Sequence, residues 1–439
     1  MCNPPDSHHT IVVGGGWSGI AAAVELSRQN IPVTLIECSK QLGGRARSVN
    51  MHGYTLDNGQ HLMIGAYRNV LQLIKLLHTT ENSVFRRTRL DLQIQSFGEK
   101  SKFCLKLPSF PAFGLLGCSL SLRDKYYALA MCFKVLNGNL DGDQPLKQYL
   151  INNRQSGSAI RSLWEPLCLA TMNTPLHLAS TKVFIQVLKD AFTIKREHSD
   201  LLYFCTDMSA AIAHPAASYI NGKGNQIIYN QRVTGISTDN NQINGVIVAD
   251  GQLIKAKNVI LAIPPAACRK ITAQVYSLNR INRMLIQLEH APICTIYIQY
   301  PPGTRLSKPM VGIINSTSQW IFDRSIYGQD GLMSVVISSL GPHMQLSNDL
   351  LCKQVEEELA CLFPEWPEPV QSMIIKEKRA TFLCKPDIDR MRPDLKTEID
   401  GLYLAGDYIH NNHPATLEGA VQSGFGCANE IINPINNPS

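Results

Sequence analysis

With 439 residues, 44% of them apolar and 17% charged, the chain has enough length for two or three hydrophobic cores and the balance of an ordinary globular protein. Its formal charge of +6 is scattered, and the densest basic run, Arg86-Arg87-Thr88-Arg89, lacks interleaved aromatic residues; this excludes a nucleic-acid groove and leaves a solvated face or an anionic membrane contact. Thirteen irregularly spaced cysteines without a C-x-x-C pair exclude a disulfide framework and a metal site, and neither an export signal nor a run of about 18 apolar residues is found, so a cytoplasmic protein is expected.

The first predicted element is the strand Thr10 to Val13. It runs into Gly14-Gly15-Gly16-Trp17-Ser18-Gly19, beyond which Ile20, Ala23, Val24 and Ser27 keep helical spacing. Gly14, Gly16 and Gly19 satisfy G-x-G-x-x-G between strand and helix, the order of a dinucleotide cradle. The first glycine permits the tight turn, the second lets backbone approach a pyrophosphate, and the third lets helix pack on strand. The helix N-terminus adds N–H donors and the positive end of a dipole. A second strand ends at Ile36, and Glu37 follows about 20 residues after the glycines, where a ribose-binding acid belongs.

Next comes a second glycine-rich stretch, Gly43-Gly44-Arg45-Ala46-Arg47-Ser48, followed by Gly53 and Asp57-Asn58-Gly59-Gln60-His61. A simple nicotinamide enzyme would continue here with another strand and helix. Arg45 and Arg47 are candidate anion contacts, because guanidinium meets phosphate in a planar fork; an ordinary surface ion pair is the alternative for one of them.

Residues 107–136 are apolar and proline-broken (LPSFPAFGLLGCSL), then Ser121 and Asp124 make a capping-box-like start to a helix through YYALAMCFKVL that is apolar on nearly all sides. Such a helix is either core or a membrane-dipping lipid gate. Further on stand Trp164 to Pro175 (WEPLCLATMNTP) and Asp207-Met208-Ser209. Glu165 and Asp207 sit among apolar residues able to raise a carboxyl pKa, which makes them candidate acids; hydrogen-bonded structural carboxylates are the alternative.

Strands are predicted over 225–236, 242–248, 259–263 and 293–300, and an amphipathic helix after Ser347 carries Leu351, Val355, Leu359 and Leu362 on one face. The strand Leu402 to Leu404 ends in Ala405-Gly406-Asp407. After Tyr408-Ile409-His410-Asn411-Asn412-His413, the run Pro414-Ala415-Thr416-Leu417-Glu418 opens a helix with Thr416 as N-cap. Gly222 and Gly224 precede strand-like residues, and Gly424 and Gly426 fall inside the last helix, so a second nucleotide site is not predicted. The tail from Asn433 is expected to be loose.

This layout resembles the flavin-containing amine oxidase and phytoene desaturase superfamily. The run Trp164 to Pro175, Asp207-Met208-Ser209 with Pro215-Ala216-Ala217, and Pro414 to Val421 resemble more narrowly the squalene-associated FAD-dependent desaturases, or hydroxysqualene dehydroxylases, and the similarity spans essentially the whole chain. The resemblance implies an α/β fold with an α+β substrate domain. A Rossmann-type FAD-binding domain of the glutathione-reductase/amine-oxidase kind would comprise 8–67, 221–270 and 395–433. It would interleave with a substrate domain of 68–220 and 271–394, in which 107–136 is a lipid-entry or membrane-contact segment.

FAD would be held by Gly14, Gly16, Trp17, Ser18, Gly19, Glu37, Gly44, Arg45, Gly59, Gln60, His61, Gly406, Asp407, Pro414, Ala415 and Thr416, with the Val233 backbone at adenine and the last helix aimed at the flavin pyrimidine. The implied activity removes the allylic hydroxyl of hydroxysqualene to give squalene and water in hopanoid or related triterpenoid synthesis, with Glu165 or Asp207 as acid. The implied partners are an isoprenoid lipid substrate and an unidentified electron donor, with peripheral contact at the inner membrane face and no nucleic acid. Alternatives are a carotenoid or squalene desaturase using the same flavin in the opposite direction, an amine oxidase, and a non-catalytic flavin-bearing lipid carrier. One departure stands out: where the family carries a small Thr/Asp/Gly loop, this chain has Tyr408 to His413, which brings unusual imidazoles near the expected flavin edge.

Overall fold

In the computed structural model, which describes residues 9–78, 80–98, 102–106, 120–137, 142–192 and 195–433, Thr10–Val13 is the central strand of a five-stranded parallel sheet. The order is Gln226–Ile228, Val33–Ile36, Thr10–Val13, Asn258–Leu261 and Leu402–Leu404. A parallel sheet is buried on both faces, which is why these strands are continuous apolar runs; Ile11, Val12, Leu35, Ile260 and Leu404 are all fully buried. The strands come from three distant stretches yet point the same way. Gly14, Glu37, Ala262 and Gly406, each just past a strand end, therefore converge on one cavity, in the crevice where parallel α/β sheets hold ligands.

The first helix, Trp17–Arg28, is buried along nearly its whole length. It packs on the last helix, Leu417–Ile432, at a separation that only glycine permits, since a Cβ at Gly424 would stand 2.1 Å from the Ser18 carbonyl oxygen. First and last segments of the chain thus share one core.

A second, seven-stranded sheet has the order Gln371–Phe382, His290–Gln299, Leu332–Ser338, Trp320–Asp323, Met310–Ile314, Asp91–Ser96 and Lys102–Lys106, antiparallel except where Met310–Ile314 meets Asp91–Ser96. Alternation along its strands gives it two different faces. Ile296, Ile298, Ile321 and Val335 pack against Leu351, Val355 and Leu359 of the helix Asn348–Leu362, whose N-cap is Ser347. The intervening Thr295, Trp320, Phe322 and Val336 line the cavity.

The helix Leu122–Asn137 begins with the expected reciprocal cap: Ser121 Oγ accepts from the Asp124 N–H at 3.1 Å and donates to its carboxylate at 2.7 Å. It is not a core helix all round. Ala128, Met131 and Val135 are buried, whereas Leu122, Tyr126 and Phe133 are 85%, 67% and 64% exposed, and their spacing sets them on one stripe. Most of the apolar segment before it, 107–119, and the tail beyond 433 lie outside the described residues. Among the described residues, no helix is long and apolar enough to cross a membrane.

Candidate active site

The three motif glycines have different physical reasons. Gly14 has φ +101°, and a Cβ there would lie 2.4 Å from the Ala262 carbonyl oxygen; at Gly19 it would lie 1.9 Å from the Gly14 carbonyl oxygen. The protein's own backbone demands both. At Gly16 the nearest atom to such a Cβ is Gly44 Cα at 3.9 Å, so a side chain there would project into open cavity. Gly44, with φ +61°, brings the second glycine loop against the first, and Gly43 N–H donates to the Gly15 carbonyl at 2.8 Å.

Gly16 caps the first helix without any side-chain bond, and the first turn holds no acidic residue, so the leading N–H groups are left for an anion. Glu37 is fixed beside them: one carboxylate oxygen accepts from Gly15 N–H at 2.6 Å and the other from Ser39 N–H at 2.8 Å. This cradle, empty where a Cβ would fill it and electropositive at its floor, fits the pyrophosphate and ribose of a dinucleotide.

A buried polar network pins the second loop. Arg324, wholly buried, donates to Asp57 Oδ2 at 3.1 Å and Gln60 Oε1 at 3.0 Å, and its guanidinium stacks 3.9 Å above the Tyr327 ring centre. Gln60 donates in turn to the Tyr327 hydroxyl at 2.7 Å. Burial lowers the pKa of the His61 imidazole against the opposing pull of Asp57, and its buried Nε2 has no partner among the described residues.

At the far side of the cavity Thr416 Oγ1 accepts from Gly419 N–H at 3.1 Å, the expected cap of the last helix. Glu418 does not remain in its own first turn. Its carboxylate accepts from Asn69 N–H at 2.9 Å and Val70 N–H at 3.0 Å, capping the neighbouring helix Arg68–Leu77. Arg45 pairs with Asp407 at 2.7 Å and donates to the Ala380 carbonyl at 2.8 Å, whereas Arg47 turns back on the Gly44 carbonyl and does not line the cavity.

One cavity of about 1040 Å³ joins these parts. Of the predicted cofactor residues, Gly14, Gly16, Trp17, Ser18, Glu37, Arg45, Gly59, Gln60, His61, Val233, Gly406, Asp407, Pro414, Ala415 and Thr416 line it; Gly19 and Gly44 do not. The other end is apolar, walled by Leu92, Phe184, Leu188, Met310, Trp320 and Phe322. The run Trp164 to Pro175 supplies a further wall through Leu167 and residues 169–173, and Asn173 at φ +47° ties that wall to the sheet by donating to Thr381 Oγ1 at 2.9 Å.

Neither predicted acid lines the cavity. Glu165 is exposed at the start of the helix Glu165–Met172 and is turned away from the cavity. Asp207 is a cap: its Oδ1 accepts from Ser48 Oγ at 2.6 Å and from the N–H groups of Ser209 and Ala210 at 3.0 Å each, and it too lies off the cavity. Glu165→Gln is therefore expected to leave turnover unchanged. Asp207→Ala should lower stability by about 1 kcal/mol, typical of a lost cap, with turnover retained. A hundred-fold loss of turnover in either variant, with FAD still bound, would restore that residue as the acid. Conversely, Tyr67, Asp190 and His198 line the cavity without belonging to any local motif, and only the fold brings them there.

A parallel sheet whose glycine turn, pinned acid and open helix N-terminus share one cavity with an apolar pocket defines a dinucleotide-binding protein with room for a second, apolar ligand. Residues 17–432 match the model of the flavin containing amine oxidoreductases; the chain belongs to that family, and its cofactor is FAD. It is similar to hydroxysqualene dehydroxylase of Zymomonas mobilis (22% identity, covering 94% of this chain and 97% of that one) and of Rhodopseudomonas palustris (24%; 96% and 97%). It is also similar to zeta-carotene desaturase of Solanum lycopersicum (22%; 98% and 83%). Among solved structures, an oxidoreductase from Methanosarcina mazei shares the fold with a TM-score of 0.75 at 16% identity (95% of this chain, 99% of that one). Cyclohexylamine oxidase from Brevibacterium oxydans does so at 0.71 and 15% (98% and 100%).

Proposed function

We propose that this oxidoreductase reductively removes the allylic hydroxyl of hydroxysqualene, giving squalene and water for hopanoid or related triterpenoid synthesis. The observation that carries the reading is the single cavity in which the dinucleotide cradle opens directly into an apolar pocket, in a chain similar along its length to hydroxysqualene dehydroxylases. Bound reduced FAD supplies hydride. The chain's part is to hold the cofactor through Gly16, the Trp17–Gly19 turn, Glu37, the Gly59–His61 segment and Thr416, to exclude water with the apolar wall, and to bring a proton to the departing oxygen. An outside reductant, whether a nicotinamide nucleotide, a ferredoxin or another reductase, recharges the flavin.

The similarity to zeta-carotene desaturases favours a second reading, polyene desaturation with the electrons flowing the other way. Anaerobic mixing of dithionite-reduced holoprotein with hydroxysqualene separates the two. Squalene formed together with flavin reoxidation is the expected result. Flavin that stays reduced over intact substrate overturns the reading, and conversion of a carotenoid precursor by the oxidised protein would establish the second.

The substrate resides in a bilayer, and we assign the exposed stripe Leu122, Tyr126 and Phe133, flanked by Arg123 and Lys134, to peripheral contact with the membrane surface. A Leu122→Asp/Phe133→Asp variant is expected to lose at least several-fold in co-sedimentation with anionic vesicles while acting normally on detergent-dispersed substrate. Equal sedimentation of variant and parent would refute the assignment.

A further inference from the structure

The reaction just proposed needs an acid in the cavity, and the two carboxylates that the sequence offers lie elsewhere. Among the described residues, five acidic side chains line the cavity: Glu37, Asp190, Glu377, Asp407 and Glu418. Four are engaged in building it. Glu37 holds the glycine turn, Asp407 pairs with Arg45, Glu418 caps the helix Arg68–Leu77, and Glu377 accepts from Arg379 N–H at 3.2 Å. Asp190 differs, because its Oδ2 lies 2.9 Å from Nε2 of His413, a ring that lines the same cavity.

We propose that His413, oriented by Asp190, is the acid that protonates the leaving hydroxyl of the allylic alcohol; the assignment rests on the dehydroxylase reading. The pair is built as an oriented base is. Asp190, in the last turn of the helix Thr181–Phe192, also accepts from Gln186 at 2.8 Å, which fixes the carboxylate. His413 is fixed through its backbone: its N–H donates to Asn411 Oδ1 at 3.0 Å, and its carbonyl accepts from buried Arg392 at 2.8 Å. Arg392 also donates to the carbonyls of Asp407, Tyr408 and Ile409, so one guanidinium sets the whole loop that departs from the family pattern.

With Nε2 committed to Asp190, Nδ1 is buried and has no partner among the described residues. It is the nitrogen left to carry a transferable proton, and the carboxylate behind it stabilises the imidazolium. The charged and titratable groups facing the pair are Asp190, Glu418 on the last helix, Tyr67 beside both carboxylates, and Arg392. His410, the other imidazole of the loop, is exposed and 3.8 Å from Asp394, outside the cavity.

In the step, the Nδ1 proton passes to the substrate hydroxyl and the C–O bond breaks with its electron pair on oxygen. Water leaves, and the allylic carbon takes the hydride that reduced flavin supplies. Neutral His413 regains its proton from solvent.

The test is single turnover of reduced holoprotein with hydroxysqualene for the parent, His413→Gln, Asp190→Asn and Asp190→Glu, with flavin content and hydroxysqualene binding to the oxidised protein measured alongside. Expected are unchanged flavin content and substrate affinity, a loss of on the order of 100-fold in rate for His413→Gln, a smaller loss for Asp190→Asn, and partial rescue by Asp190→Glu. Independently of turnover, histidine NMR with the His413→Gln spectrum as reference should show the His413 ring resonances displaced in Asp190→Asn relative to the parent, as loss of the 2.9 Å ring–carboxylate contact requires. A parental rate in His413→Gln would overturn the assignment while leaving the dehydroxylase reading intact. A parent that leaves hydroxysqualene unchanged would overturn the reading, and the acid role with it.

Discussion

Gly16→Val is expected to purify folded and colourless. Gly16 sits at φ −72°, ψ 179°, an extended conformation open to any residue, and no atom of the described residues comes closer than 3.9 Å to a Cβ placed there. Valine therefore meets no obstacle from the chain itself and fills the space in front of the uncapped helix, where the pyrophosphate belongs. The variant should melt like flavin-free parent protein, lacking only the stabilisation that a bound ligand contributes. Gly19→Ala makes the contrast: its methyl would stand 1.9 Å from the Gly14 carbonyl oxygen, so the helix must leave the strand and the fold itself suffers. Visible flavin absorbance per protein and a thermal melt distinguish the cases. A yellow Gly16→Val protein with parental flavin content would show that the pyrophosphate lies elsewhere.

Arg324→Leu should cost about 3–5 kcal/mol of stability, the range for stripping one partner from a buried ion pair. Side-chain exposure is 1% for Arg324 and 2% for Asp57, so solvent does little to screen the pair. Without the guanidinium, Asp57 keeps its bonds from Ser48 Oγ at 3.1 Å and Met208 N–H at 2.9 Å but carries an uncompensated charge. Gln60 also loses one of the two donors to its carbonyl, keeping only Ser334 Oγ at 3.1 Å, so flavin affinity should fall together with stability. Adding Asp57→Asn to Arg324→Leu removes the stranded charge and should recover part of the loss, a non-additivity expected only of directly coupled residues. Denaturant midpoints of the parent, both single variants and the double variant measure this. Additive effects, or a loss below about 0.5 kcal/mol for Arg324→Leu, the size of an ordinary surface substitution, would mean that the pair is not structural.

Much of the nucleotide side was legible because its determinants are local. A strand-glycine-helix order follows from which residues tolerate φ above zero and from apolar spacing, and both can be read within about 20 residues. The cap at Thr416 is of the same kind. Reading was weaker where polarity alone had to stand for position. The helix Leu122–Asn137 has apolar residues all round, but burial selects Ala128, Met131 and Val135 and leaves Leu122, Tyr126 and Phe133 outside, a choice that composition does not contain. Glu165 and Asp207 looked like acids in apolar surroundings, yet apolar neighbours in sequence are not apolar neighbours in space.

By itself, then, the sequence determined the flavin-type cradle, the parallel strands that carry it and the capped helix that faces it, since each depends on backbone freedom and periodicity within one short segment. Only the tertiary structure decided which titratable groups meet. Asp57 and Arg324 pair across 267 positions and Asp190 and His413 across 223, and Glu418 leaves its own helix to cap another. Pairing of that kind is set by the packing of two sheets around a shared cavity, where burial makes each polar atom find a partner and distance along the chain has no bearing on which one it finds.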